Sequence, residues 1–415
     1  MSLTQQISRY RWVILGLAFA AQFSNSIAFQ SVAPLAPLFQ PELSLTKAEV
    51  GLFSSILFAG QWCLLLASGA LADRFGVRNM MAVGQLSIGI SLLAMAWVTT
   101  YPQALAVMFA AGIGSSAILP SVTKAIMEWF SAGVRGTVMG LKQAAVPVGG
   151  VLTAAVLPTV GLALGWRYAI ASVGVFGIAG GIASFILYRD RTRLRQDRAA
   201  PAVWEGLRAV LRNGPLWQLS LVSVLFVAVQ LALTSYLALF LEETVLVAAF
   251  PDQTSRVIAA GGYLAVCQFG GAIGRVMWGV VSDRVFRGQR MIVLVATGII
   301  TAVCAGATSM LAPDSPLWML TVLVFIFGLS AVGWNGLYHV AMAETAGPKY
   351  AATGVGLSMT MNQIGTFLGP PIFGLIVDST GSYSVAWQVM AVLGAVGTLM
   401  AVLNSRTERA RAAIA

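Results

Sequence analysis

This sequence predicts an all-α membrane protein with twelve membrane-spanning helices in two pseudo-symmetric six-helix halves. Three observations predict it. First, 58% of the 415 residues are apolar, only 10% are charged, and mean hydropathy is +0.83. A soluble domain carries about 25% charged residues, so lipid must be the solvent for most of this chain. Second, twelve apolar runs are long enough to cross a bilayer, which takes about 20 residues. Third, the two halves of the chain repeat. The runs are continuous and not alternating, which disfavours a lipid-facing β-barrel. The same composition excludes a cytosolic enzyme, a nucleic-acid binder and a disordered chain.

In order, the first six runs fall near 11–35, 48–71, 78–100, 102–129, 136–160 and 164–188. The next six fall near 216–241, 256–281, 290–311, 316–343, 351–376 and 382–404. Arg9 and Arg11 before the first run suggest a signal peptide, but no small-residue cleavage site follows. It reads as a retained first helix. The longest polar stretch, Tyr188 to Pro215, carries Arg189, Arg191, Arg193, Arg195, Arg198, Arg208 and Arg212. It divides the chain into a half at 1–188, an Arg-rich linker at 189–215 and a half at 216–415. The linker reads as solvated, with a short amphipathic piece at Trp204–Leu211; partner or lipid binding is the alternative.

The net charge of +10 is a topology signal. Lys and Arg mark the cytoplasmic side of short loops. With the N-terminus inside, only Lys47, Arg167 and Arg256 fall outside, and only Lys124, Lys142 and Arg275 fall within helices. The rest are cytoplasmic, as are both termini and the linker. Nucleic acid is not needed to explain the charge, and the expected location is a bacterial inner membrane. Cys63, Cys267 and Cys304 lie in apolar runs without metal-ligand spacing and read as helix-packing residues.

The repeat is legible in motifs. Gly69-Ala-Leu-Ala-Asp73-Arg74 follows the second run, and Gly279-Val-Val-Ser-Asp283-Arg284 follows the eighth, 210 residues later. An offset of 216 aligns Glu128 with Glu344, and Gly140 and Gly149 with Gly356 and Gly365. Parallel repeats of this kind place a substrate site near the bilayer midplane between the halves.

With these residues the chain clearly resembles the major facilitator superfamily, over nearly its whole length. The most specific match is Gly69-x-x-x-Asp73-Arg74-x-Gly76-x-Arg78; the second copy is degenerate, with Phe286 where Gly76 stands in the first. Glycines there allow close helix approach. Asp73 and Asp283 sit where a carboxylate can face the positive end of a neighbouring helix. Arg74, Arg78 and Arg284 can pair with acids or lipid phosphates. The resemblance implies that this cluster, with Glu128 and Glu344, gates the cytoplasmic side as the halves rock. Pro147 with Gly149 and Gly150 partly resembles the helix-five motif of drug/proton antiporters, but Val146 and the shorter spacing depart from it. Close packing is the plainer reading.

Charges at membrane depth are costly and face cavities, so the few in the helices are informative. Arg275 lies eight residues before Asp283, roughly 12 Å along a helix. Arg275-x-x-Trp278-Gly279-x-x-Ser282-Asp283 resembles the oxalate/formate exchangers and monocarboxylate transporters, in which the helix-eight arginine binds the substrate carboxylate. A planar guanidinium matches a carboxylate with two parallel hydrogen bonds. Pairing with backbone carbonyls is the structural alternative. Lys142 is a second candidate cation, or it snorkels to the cytoplasmic face. Lys124 stands at i,i+4 spacing from Glu128 and reads as a local pair. The eleventh run offers Ser358, Asn362 and Gln363 but no charge, which speaks against a dianion gripped from both halves.

The tenth run reads Gly333-Trp334-Asn335-Gly336-Leu337-Tyr338-His339. Asn335 and His339 share one face, Trp334 and Tyr338 the next; polar groups beside aromatics suit a small ligand. His339, the only histidine, is a proton-carrier candidate or a structural donor. Asn25, Gln143, Gln268, Tyr236 and Gln363 are further polar candidates for the substrate site. No acid falls at mid-membrane.

The expected function is secondary transport of a small organic anion, a monocarboxylate or similar acid, by alternating access. The partners are then the anion, membrane lipids and, if coupled, protons. Symport, uniport and exchange all stay open. The alternative is a proton-coupled drug or metabolite exporter, disfavoured by the missing buried acid. A sensor on the same scaffold would want a soluble domain. No metal or phosphate motif marks an enzyme and no cofactor is implied; one chain suffices to form the path.

Overall fold

In the computed structural model, residues 3–130, 132–190, 208, 210–347 and 350–414 are described. The side chains at 3–9, 65–67, 69–70, 73, 132–137, 140, 351–352 and 405–414 are not. The linker expectations at Arg191, Arg193, Arg195, Arg198 and Trp204 lie outside the described residues.

The described residues form helices throughout and no strand. They are α1 Leu3–Gln30, α2 Ala36–Glu42, α3 Lys47–Phe75, α4 Val77–Ala94, α5 Tyr101–Ser115, α6 Ile118–Trp129, α7 Ala132–Leu164 and α8 Trp166–Leu187. There follow α9 Gly214–Phe240, α10 Gln253–Arg284, α11 Arg290–Thr308, α12 Leu317–Ala331, α13 Asn335–Ala346, α14 Ala351–Thr380 and α15 Tyr383–Ile414. Among the described residues ten helical stretches are long and apolar enough to cross a membrane. The two other expected runs are α3 and α14, helices of 29 and 30 residues. Their length suffices to span, at about 1.5 Å per residue. In α14, Asn362 and Gln363 dilute the hydropathy.

Two runs expected to be continuous are broken. The fourth becomes α5 and α6, interrupted at Ser116–Ala117; the tenth becomes α12 and α13, interrupted at Val332–Trp334. Pro120 explains the first break, because its ring clashes with the carbonyl four residues back. The two breaks are again 216 residues apart.

The chain divides into two compact units. The first holds Met1–Leu45 and Phe53–Leu194; the second holds Thr46–Leu52 and Arg195–Ala415. Within the first, α1 packs on α7, α4 on α8 and α3 on α5; within the second, α9 packs on α14, α11 on α15 and α10 on α12. The last pair of pairings repeats to the residue. A Cβ on Gly60 would run into the Phe109 carbonyl, and one on Gly112 into that of Leu57. In the second unit Gly270 meets Phe325 and Gly328 meets Cys267. Offsets of 210 on one helix and 216 on the other convert each contact into its copy. Without a hydrophobic drive between helices in lipid, small residues that let backbones touch set such crossings.

Candidate functional site

The second unit's crossing continues one turn beyond its copy. Gly274 stands where the first unit has Leu64, and a Cβ on Gly333 would lie 2.8 Å from the Cα of Gly274. This brings α10 against the break between α12 and α13. A Cβ on Gly336 would lie 3.6 Å from the carbonyl of Arg275, so Arg275 emerges beside the first turn of α13. Its Nε is buried with no hydrogen-bond partner. Among the described residues no carboxylate forms an ion pair with it. Trp278, one turn on, donates from Nε1 to the Leu329 carbonyl at 2.8 Å and pins the helix.

Across from Arg275, a network orders the start of α13. Gln230 of α9 accepts at Oε1 from Trp334 Nε1 and from Asn335 Nδ2, both at 3.0 Å. Asn335 also donates to the Val332 carbonyl at 3.3 Å. Trp334 packs edge-on against Phe226, and Tyr338 follows at 5.1 Å between ring centroids. Tyr338 is fully buried in the unit's apolar core, and its hydroxyl accepts from Ser358 at 2.7 Å. His339 is half-buried, within electrostatic reach of Arg275, and its Nδ1 is buried without a partner. Arg275 and His339 are therefore within reach of each other, while Asn335 is held by Gln230, and Tyr338 and Trp334 pack into the core. Gln230 is a functional candidate that the sequence does not set apart from the other polar positions in its helices. Its role is set by a helix about a hundred residues away, and no local pattern signals it.

The other candidates scatter. Gln268 is buried one turn above the Gly271 contact with Val332. Gln363 is half-buried on α14, next to Asn362, whose Oδ1 is buried and unpartnered. Tyr236 is fully buried against Phe373 and donates to the Lys47 carbonyl. In the first unit Lys142 is 2% exposed, with no hydrogen bond or ion pair among the described residues, while its neighbour Gln143 is exposed. Asn25 is buried with an unpartnered Oδ1. Gly149 serves close packing: a Cβ there would lie 2.6 Å from Ser26 Oγ. Lys124 donates to the Ala72 carbonyl at 3.1 Å, at the C-terminal end of α3, where a cation meets the helix's free carbonyls. Among the described residues no cluster of three His, Cys, Asp or Glu could hold a metal.

The gating candidates are corrected in one respect. The second motif copy is not degenerate but two residues longer. Gly288 adopts φ +83° where Gly76 adopts +86°, a left-handed conformation that glycine accepts freely. Arg290 then matches Arg78. Arg290 bonds Asp283, reaches Glu344 at 3.4 Å and donates to Ser282 Oγ at 3.1 Å. Asp283 pairs with this arginine, the first residue of α11, and so lies at that helix's N-terminal end. At the start of α4 it is Asp190 that accepts from the Arg78 amide, at 3.2 Å. Arg78 donates from Nε to the Phe185 carbonyl at 2.6 Å and lies over that ring. Arg74 and Arg284 are exposed. Glu128 receives a long 3.5 Å contact from Tyr188. Burial first, and this carboxylate next, push the Tyr188 hydroxyl far up. The side chains of Gly69, Asp73 and Gly140 lie outside the described residues; Gly279 leaves open space around its Cβ position.

Known proteins share this architecture. The chain is 26% identical over 422 residues to the probable L-galactonate transporter of Escherichia coli K12, covering 95% of this chain and 89% of that one. It is 23% identical over 422 residues to the probable sulfoacetate transporter of Cupriavidus necator, covering 95% and 94%. A crystal structure of a bacterial homolog of the human lysosomal transporter Spinster, inward-facing and unoccupied, superposes with a TM-score of 0.77, at 18% identity over 96% of this chain and 97% of that one. The Major Facilitator Superfamily model matches residues 18–370. With twelve-helix architecture, internal repeat and family model in agreement, the chain belongs to the Major Facilitator Superfamily, a family of membrane transporters and not of enzymes.

Proposed function

We propose that the protein is a secondary transporter of a small organic anion, held by its carboxylate at Arg275 and moved by alternating access. One observation carries this reading. A guanidinium deep in a 32-residue membrane helix has a buried Nε with no partner and no carboxylate paired to it. A buried charge is strongly disfavoured unless something pairs with it. An anionic ligand supplies the missing partner, with bidentate geometry. The discontinuous helix adds to this, since half-helix N-termini carry partial positive charge toward anionic groups. The two relatives are named for L-galactonate and sulfoacetate, both anions, which supports the same class.

Asn335 and His339 complete the contact in the second unit, and Lys142 is a second anion-binding group in the first. A monocarboxylate with a proton is the favoured cargo, the proton riding on the acid or on His339 Nδ1. Asp283, Arg290 and Glu344, with Arg78 and Asp190, are the gating set. The test is a thermal-shift panel on purified protein with carboxylates, inorganic anions and lipophilic cations. A ligand at about 100 times its Kd adds roughly 2.7 kcal/mol to the folded state. Carboxylate shifts that vanish in Arg275→Ala are expected. Shifts from lipophilic cations alone, unchanged in the variant, would replace the anion transporter by the exporter.

A further inference from the structure

We propose that Asn335 is a specificity-determining residue, whose Oδ1 accepts a hydrogen bond from a hydroxyl on the anion held at Arg275. The inference rests on the anion-transport reading, narrows its substrate class to hydroxy acids and uses residues of the second unit alone.

The orientation of two amides carries it. An indole N–H can only donate, so the 3.0 Å contact from Trp334 Nε1 fixes Oε1 as the end of Gln230 that meets α13. That oxygen also takes a hydrogen bond from Asn335 at 3.0 Å, which fixes Nδ2 as the end of Asn335 turned to Gln230. The same nitrogen donates to the Val332 carbonyl at 3.3 Å. An amide NH2 has two hydrogens, and both are spent. What Asn335 has left is Oδ1, which can only accept. This oxygen has no hydrogen bond among the described residues. It keeps accessible surface on a half-buried residue, whereas Arg275 Nε and His339 Nδ1 are sealed.

Asn335 lies near the anion-binding groups. It stands one turn before His339 on the same face of α13, and His339 is within electrostatic reach of Arg275. The next residue, Gly336, adjoins the Arg275 carbonyl. The other open groups do not tell two acids apart. The terminal nitrogens of Arg275 and Nε2 of Gln230 donate to a carboxylate or a hydroxyl oxygen alike, and His339 Nε2 donates or accepts according to its tautomer. Asn335 Oδ1 discriminates, because a plain carboxylate has no hydrogen to give it and a hydroxyl has. A ligand ammonium could donate as well, but the Arg275 charge repels it. A site that bonds a hydroxyl disfavours the analogue lacking it, because its own group is then left unpaired.

The experiment measures direct binding by calorimetry on the purified full chain, with lactate against isobutyrate and glycolate against propionate. Each pair exchanges a hydroxyl for a methyl group at nearly constant size. Wild type should favour the hydroxy acid of each pair by about tenfold. In Asn335→Leu that ratio should fall to near one while both acids still bind. Asn335→Ala reads the same ratio without adding bulk beside Gln230, should the leucine variant not fold. A purely structural role would weaken both acids together and leave the ratio unchanged, which would overturn the inference. Equal affinities within each pair in wild type, with binding lost in Arg275→Ala, would overturn it too and leave the anion reading standing. No binding of any acid in wild type would remove the anion reading and this inference with it.

Discussion

The α3/α5 crossing of the first unit and the α10/α12 crossing of the second are built alike and used differently. Both close on two glycine-to-carbonyl contacts, Gly60 and Gly112 in one, Gly270 and Gly328 in the other. Only the second adds Gly274 against Gly333. That one further turn of contact draws α10 to the broken end of α12 and sets Arg275 beside Asn335 and His339. At the matching place Leu64 stays exposed. Repetition thus supplies a scaffold of close-packed pairs, and a single departure from it makes a polar site. The helix starts differ as well. Thr46 and Glu49 close a reciprocal capping box on α3, with Glu49 accepting from the Thr46 amide at 2.9 Å and Thr46 Oγ accepting from the Glu49 amide at 3.2 Å. On α10, Asp252 alone caps, accepting from the Ser255 amide at 2.7 Å.

The sharpest way to break this contrast is to make the second crossing like the first. Gly274→Leu restores the residue type of the first unit but drives a side chain into the Leu329 carbonyl. Overpacking of this kind typically costs about 1–3 kcal/mol, and more where the obstacle is backbone. A clear fall in melting temperature and loss of carboxylate binding are expected; an unchanged melting curve would mean that the contact does not hold Arg275 in place. A smaller effect is expected from Gln230→Leu. It strands the Trp334 indole N–H and removes the second-helix anchor of Asn335, at roughly 1–3 kcal/mol for a buried donor left unpaired. Binding should weaken without changing which class of ligand binds, read by calorimetry beside Arg275→Ala. If Gln230→Leu binds as wild type does, α13 is ordered by its aromatic packing alone.

The smallest effect separates the two caps by pH. The Ser255 backbone amide first, and its side chain next, hold the exposed Asp252 carboxyl below its ordinary range. A lowered acid contributes stability that is present above its unfolded value, about 3.9, and is lost as pH falls through the folded value. Melting curves from pH 7 to pH 3 should therefore show an acid-side loss in wild type. Asp252→Asn keeps the cap and removes the titration, so its curve should be flatter over that range. Equal slopes would show that the cap makes no measurable contribution.

Several features were legible along the chain because they are local. Apolar runs mark helices, the motif pairs mark the repeat, and Arg275 stands out because charge in such a run is rare. The break beside Pro120 was not legible, since the run around it reads as continuous. The loop after Asp283 was misaligned because sequence spacing cannot show a two-residue insertion, whereas the positive φ of Gly288 does. Likewise Asp190 is 112 residues from the amide that it receives, so no motif spacing could have put it there. Tyr338 shared a helical face with polar neighbours, yet packing turned it into the core.

By itself, then, the sequence determined that this chain lives in lipid, that it is helical, that it repeats and that charge within its helices is rare. Each of these depends on composition and on short-range periodicity, because the bilayer requires every backbone group to be satisfied within its own helix. The tertiary structure alone decided which polar groups stay paired and which stay open. Gln230 is consumed by α13, Tyr236 by Lys47 and Ser26 by Val146, while Arg275, His339, Gln22 and Asn25 keep unpartnered atoms. That division depends on which helices touch and at what register, and close contact between glycines and carbonyls far apart in the chain sets both.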